Sequence, residues 1–187
     1  MRADRDHFTP TQRVLHWLMA ICILAMLFIG VGMVSTVTAT YLTLVSIHKP
    51  LGIGILVLAL LRLVLRLKAG APALPPDLPQ PMKLAAKLSH VLLYVLMIAM
   101  PLLGWGMLSA AAYLVELFGG YRLPPIAPQS DALHTALWNA HRTLAFVLFA
   151  VILIHIAAVL FHALIRRDGV FEAMAPIRVR DPAAPLD

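Results

Sequence analysis

The chain has 187 residues, 61% of them hydrophobic and only 13% charged, with a mean hydropathy of +0.87. A surface of this composition cannot mostly face water, which excludes an ordinary soluble domain and predicts an integral membrane protein. The formal net charge of +6 follows from membrane topology, as argued below, and calls for no nucleic-acid partner.

The first predicted span runs near residues 14–34, after a tail carrying Arg2, Arg5 and Arg13. A helical span needs about 20 apolar residues. This run is longer than a signal-peptide core of about 7–15 residues, and no small-x-small site closes it, so it is expected to remain a membrane span. The uncharged external stretch "STVTATYLTLVSI" leads to a second span near residues 51–67. Its helix is expected to begin at Pro50 in "HKPLG", because proline suits a first helical turn. The stretch around residues 69–82 carries Pro72, Pro75, Pro76, Pro79 and Pro81, and reads as an extended connector and not a fifth helix. A third span lies near residues 88–108. An outer loop, 113–139, has room for a short helix near residues 131–139, and a fourth span follows near 143–165.

Four spans predict an all-α membrane protein, a single four-helix bundle domain over residues 1–187 with both termini on one side. That side holds Arg2, Arg5, Arg13, Arg62, Arg66, Lys68, Lys83, Lys87, Arg166, Arg167, Arg178 and Arg180, twelve cations against Lys49, Arg122 and Arg142 on the other. The asymmetry places both termini in the cytoplasm.

Of the eight histidines, six (His16, His48, His90, His141, His155 and His162) lie in or at the ends of spans. Ionisable groups within a membrane are costly and mark functional sites. His141 and His155 are 14 residues apart, about 1400° of helical rotation, within about 40° of whole turns. They share a face but stand about 21 Å apart along the axis, so each serves a different leaflet. Topology supplies partners at matching depth, pairing His16 with His155 and His48 with His141. Two imidazoles per site suit haem iron with no open position, a ligation for electron transfer. Cys22 is alone and no C-x-x-C-H occurs, so haem would be held non-covalently. Zinc requires ligands clustered in one coordination sphere, which this spacing opposes, and no H-E-x-x-H occurs. Gly30, Gly32, Gly52, Gly54, Gly104, Gly106, Ala145, Ala157 and Ala158 could let a flat group lie between helices, or serve ordinary helix packing.

His162 follows His155 by seven residues, about 20° short of two turns, and His90 reaches a similar depth from the inner side. Two unpaired imidazoles there suit the carbonyls and protons of a quinone; lipid headgroups or haem propionates are the plainer partners. Lys49, Arg142 and Arg122 surround the outer site, either to bind propionates or to guide a small anion. Trp17, Trp105, Trp138 and Tyr94 read as interfacial or packing aromatics, with Trp138 near enough to His141 to touch an outer cofactor.

The stretches "RVLHWLMA", "HKPLGIGILVLALLRLVLRL", "LSHVLLYVLMIAMPLLGW" and "HRTLAFVLFAVILIHIAAVLFH", with the tail "RRDGVFEAMAP", together resemble the bacterial di-haem cytochrome b561 family. The resemblance implies a multi-pass inner-membrane bundle with two haem b groups held by His16, His48, His141 and His155. It places His90 and His162 near a cytoplasmic-side quinone site. One branch of the family oxidises superoxide outside and reduces ubiquinone, so the resemblance implies superoxide:ubiquinone oxidoreductase activity. The alternative is a relay subunit between the quinone pool and a periplasmic redox protein, docked on the loop from Tyr113 to Asn139, which is not closely similar to other members.

Overall fold

In the computed structural model, residues 7–176 are described and form four long helices. Arg2, Arg5, Arg178 and Arg180, counted above in the charge asymmetry, lie outside the described residues. α1 spans Pro10–Ser35, α2 Thr40–Ala69, α3 Gln80–Ala110 and α4 Asp131–Leu160, the last running on into a π-helical turn, Phe161–Arg166. All four are long and apolar enough to cross a membrane.

Local chemistry sets their ends. Thr9 caps α1 in a reciprocal capping box with Gln12, and Pro10 occupies the first turn, where its missing N–H costs nothing. Gly70, at φ +77°, ends α2 and donates its N–H to the Arg66 carbonyl. Pro79 and Pro81 bracket the start of α3, so the connector is without helix from Gly70 to Pro79 and its last residues belong to α3. Ser130 accepts the Leu133 N–H to cap α4, while Asp131 complements the positive end of the helix dipole.

Two expectations change. α2 starts at Thr40, ten residues before Pro50, which sits buried inside the helix. Proline is tolerated there because neighbouring helices and local adjustment compensate the lost backbone bond. The short outer helix near residues 131–139 is continuous with the fourth span, so α4 begins at Asp131 and the outer loop shortens to residues 111–130.

Close backbone packing joins α1 to α2, α2 to α3 and α3 to α4; among the described residues α4 has no comparable packing on α1 or α2. A core cluster lies among α1, α2 and α3, where Met19, Ala59 and Met97 pack with Ile23, Leu93 and Tyr94. In α4 the buried residue is Leu148. Large apolar side chains cover the outside, as a hydrocarbon solvent permits.

The loop after α3 makes a tight hairpin: Leu117 N–H donates to the Tyr121 carbonyl, and Gly119 and Gly120 take φ +82° and +79°. Trp105 Nε1 donates to the Pro124 carbonyl and tethers the loop to α3. At the other end the chain turns back after the π-helical turn. Phe8 N–H donates to the Ala173 carbonyl, Arg13 to that of Ala175 and Trp17 Nε1 to that of Met174.

Candidate functional site

His16 on α1 and His155 on α4 face each other with ring centroids 6.5 Å apart and planes at 75°. His48 on α2 and His141 on α4 do the same at 6.3 Å and 68°. Two imidazoles on opposite sides of one metal ion, each bonded at about 2.0–2.1 Å, have centroids about 6.3 Å apart. Both pairs therefore have a separation that a shared iron would allow. They also bridge α4 to the two helices from which its backbone stands away.

The donor chemistry also fits haem at the outer pair. His141 Nδ1 lies 3.1 Å from the Met100 carbonyl. A carbonyl can only accept, so Nδ1 carries the proton and Nε2 keeps the lone pair that a metal needs. Gly104 lies against this ring: a Cβ there would stand 3.4 Å from His141 Cε1, at the edge of ordinary contact, so a larger side chain would not fit without a shift. Pro101, one residue beyond Met100, removes one backbone N–H from α3 at the same level. His48 Nδ1 is buried with no hydrogen-bond partner in the protein. His48 and His141 lie eight and ten residues inside their helices, about 12 and 15 Å from the outer ends, and not at the mouths of the spans.

The inner pair has a fuller setting. His90 on α3 approaches His155 at 5.7 Å, and its Nδ1 donates to the Ala86 carbonyl at 2.7 Å. Arg62 on α2 contacts His16 Nδ1, with its guanidinium 5.9 Å from the Tyr94 ring. All four helices thus contribute. In the sequence Arg62 stands out only as a topological charge; its place a full turn before Arg66 inside the second apolar run is the signal that points to a buried role. A guanidinium only donates, so an imidazole bound to metal through Nε2, with its proton on Nδ1, requires Arg62 to find another acceptor. A haem propionate is such an acceptor. Among the described residues no group of three or more His, Cys, Asp or Glu gathers as for a four-coordinate ion.

His90 and His162 are not the unpaired imidazoles that the sequence reading expects. His162 Nδ1 lies 2.8 and 3.0 Å from the two Asp168 carboxylate oxygens. The π-helical turn and Arg167, in the left-handed conformation, fold the chain back to bring Asp168 there. Burial alone would raise the Asp168 carboxyl, but hydrogen bonds from Arg166 and His162 outweigh it and hold it below its ordinary value. Uniform α-helical periodicity cannot anticipate this turn.

The three outer cations are not equivalent. Arg122 lies in the exposed hairpin, 3.5 Å from Glu116. Among the described residues Lys49, half-buried on α2, and Arg142, exposed on α4, form no ion pair. Trp138 is half exposed and neighbours His134, whose Nδ1 donates to the Met107 carbonyl.

Comparison with known proteins gives a consistent picture. The sequence pattern of the family described as prokaryotic cytochrome b561 matches residues 7–176. Cytochrome b561 homolog 1 of Escherichia coli (strain K12) is 29% identical over 182 residues, covering 92% of this chain and 99% of that protein. Cytochrome b561 homolog 2 of the same organism is 26% identical over 171 residues, 90% and 91% of the two chains. A probable superoxide oxidase CybB of Yersinia pestis is 30% identical over 131 residues, 70% and 73% of the two.

Proposed function

Because this chain belongs to the prokaryotic cytochrome b561 family and is thus a multi-pass protein of the bacterial inner membrane that transfers electrons with haem b, we propose that it oxidises superoxide at its outer face and reduces ubiquinone near its inner face. The observation that carries this reading is the pair of facing histidine sets, at 6.3 and 6.5 Å, held on one helix about 21 Å apart.

In this reading His48 and His141 would hold one haem b and His16 and His155 a second, each through its two imidazoles. When bound, each haem takes up and returns one electron. Lys49, Arg142 and, more weakly, Arg122 draw the anion toward the outer site. His90 and His162 offer hydrogen bonds and protons to the quinone. Two superoxide ions, one quinone and two protons give two molecules of oxygen and one quinol. The likeness to a probable superoxide oxidase supports the choice of donor.

A superoxide pulse in a stopped-flow instrument, with and without ubiquinone, tests the proposal. Fast haem reduction followed by quinone-dependent reoxidation is expected. Slow reduction with intact spectra would instead favour a relay between the quinone pool and a periplasmic redox protein. The ordered outer hairpin, which exposes Phe118 and Tyr121 and ties up Arg122 with Glu116, is the feature that supports that second reading.

A further inference from the structure

At the inner end of α4 four side chains form an unbroken chain of hydrogen bonds. His162 Nδ1 donates to Asp168, Arg166 Nε donates to the same carboxylate at 2.8 Å, and Arg166 Nη2 donates to Asp77 on the connector at 2.6 Å. Their side-chain exposures are 12% for His162, 9% for Asp168, 21% for Arg166 and 70% for Asp77, so the chain leads from the interior to the surface.

The members differ in what they can do with a proton. Arg166 does not give one up near neutral pH. Asp168 is engaged by Arg166, by His162 and by the Val170 N–H at 3.4 Å, and so remains a carboxylate. His162 is the member whose side chain can both take up and give up a proton, because an imidazole carries two ring nitrogens. A carboxylate against Nδ1 dictates which ring nitrogen is free: Nδ1 keeps its proton, and Nε2 alternately holds and releases one. One-turn π-helices recur at functional sites, and here the turn makes this contact between residues six positions apart.

We propose that Asp168 is a positioning residue, holding the His162 ring so that Nε2 delivers cytoplasmic protons to the quinone. The proposal rests on the quinone reading given above. Once an electron has reached the quinone, the Nε2–H bond of the His162 imidazolium breaks and an O–H bond forms on the quinone oxygen. Nδ1–H stays with Asp168, and the neutral ring regains a proton from cytoplasmic water. This transfer forms one O–H bond of the quinol; a second cytoplasmic proton on the opposite carbonyl oxygen, with two electrons from the chain's own electron-transfer activity, completes it.

The test uses the full haem-loaded protein and two readouts. Nitrogen NMR of isotope-labelled histidine, with the His162 signal identified by its loss in His162→Gln, reports the tautomer. Stopped-flow reoxidation of reduced protein by ubiquinone reports the proton-coupled step. The unmodified protein is expected to show neutral His162 in the Nδ1–H form. Asp168→Asn, whose amide can present its own N–H to Nδ1, is expected to shift the ring toward Nε2–H. It should slow reoxidation by about tenfold to a hundredfold, and Asp168→Glu should recover most of that loss. An Nε2–H ring in the unmodified protein overturns the proposal without requiring any Asp168 variant to fold. So does slow reoxidation in His162→Gln alongside normal reoxidation in Asp168→Asn, an outcome that leaves the quinone reading standing. If His162→Gln itself reoxidises normally, the quinone assignment of His162 fails, and the proton transfer fails with it.

Discussion

His141 is positioned by α3, whose Met100 carbonyl takes its Nδ1 proton and whose Gly104 lies against the ring. Gly104→Ala should be tolerated, because its Cβ meets the ring at 3.4 Å, near ordinary contact. Gly104→Val adds two methyl groups against the imidazole and is expected to cost about 1–3 kcal/mol. Thermal melting and the haem-to-protein ratio would check this, with loss confined to one haem. Arg122 carries a different lesson, since its charge is already countered by Glu116. Glu116→Gln should therefore speed haem reduction by superoxide, whereas Lys49→Gln should slow it and flatten its salt dependence more than Arg122→Gln does. Equal effects of the two cation variants in stopped-flow runs at graded salt would contradict the ranking. The sequence made these cations visible but not their partners, because a charge's neighbours depend on loop geometry.

At the scale of elements, the interiors of the four helices were legible in the sequence because each needs an unbroken apolar run to face lipid. Their ends were less so. Pro50 suggested a helix start, yet α2 continues outward through the uncharged Thr40–Ile47 segment, where no charge opposes helix. The end of α4 shows the reverse problem, since a π-helical turn and two left-handed residues, Arg167 and Gly169, give it a shape that α periodicity cannot express. Gly169 has φ +78°, so Gly169→Ala should destabilise this turn by about 1–2 kcal/mol, seen as faster proteolysis of residues 168–176. The same turn has a pH signature. Asp168's folded value lies below its ordinary one, so its contribution is fully present above the ordinary carboxylate range and is lost as pH falls through the folded value. Resistance to protease should thus fall as pH drops below the ordinary carboxylate range, at about pH 3.9 and lower.

Across the whole molecule, the protein-only core and the histidine pairs stabilise different parts. Met19, Ala59 and Met97 tie α1, α2 and α3 together, while α4 packs on α3 and meets α1 and α2 through His16 and His48. A group bound by both members of each pair adds its binding free energy to the folded state. Protein prepared without haem should accordingly keep slow hydrogen exchange in the cores of α1–α3 and exchange faster along α4. Uniform acceleration over all four helices would show that the pairs do not carry this separate share of stability.

The sequence by itself determined the membrane class, the number of spans and the order of the histidines along them. Apolar length, the side preference of cations and the repeat of a helix are properties of a segment alone, needing no knowledge of its neighbours. Only the tertiary structure decided that Arg62 touches His16, that Trp17 binds the Met174 carbonyl, and that Asp168 meets His162 Nδ1. Those contacts join residues from different helices, or from a chain reversal after a π-helical turn. A hydrogen bond depends on distance and direction to about an ångström, which linear spacing along a chain does not carry.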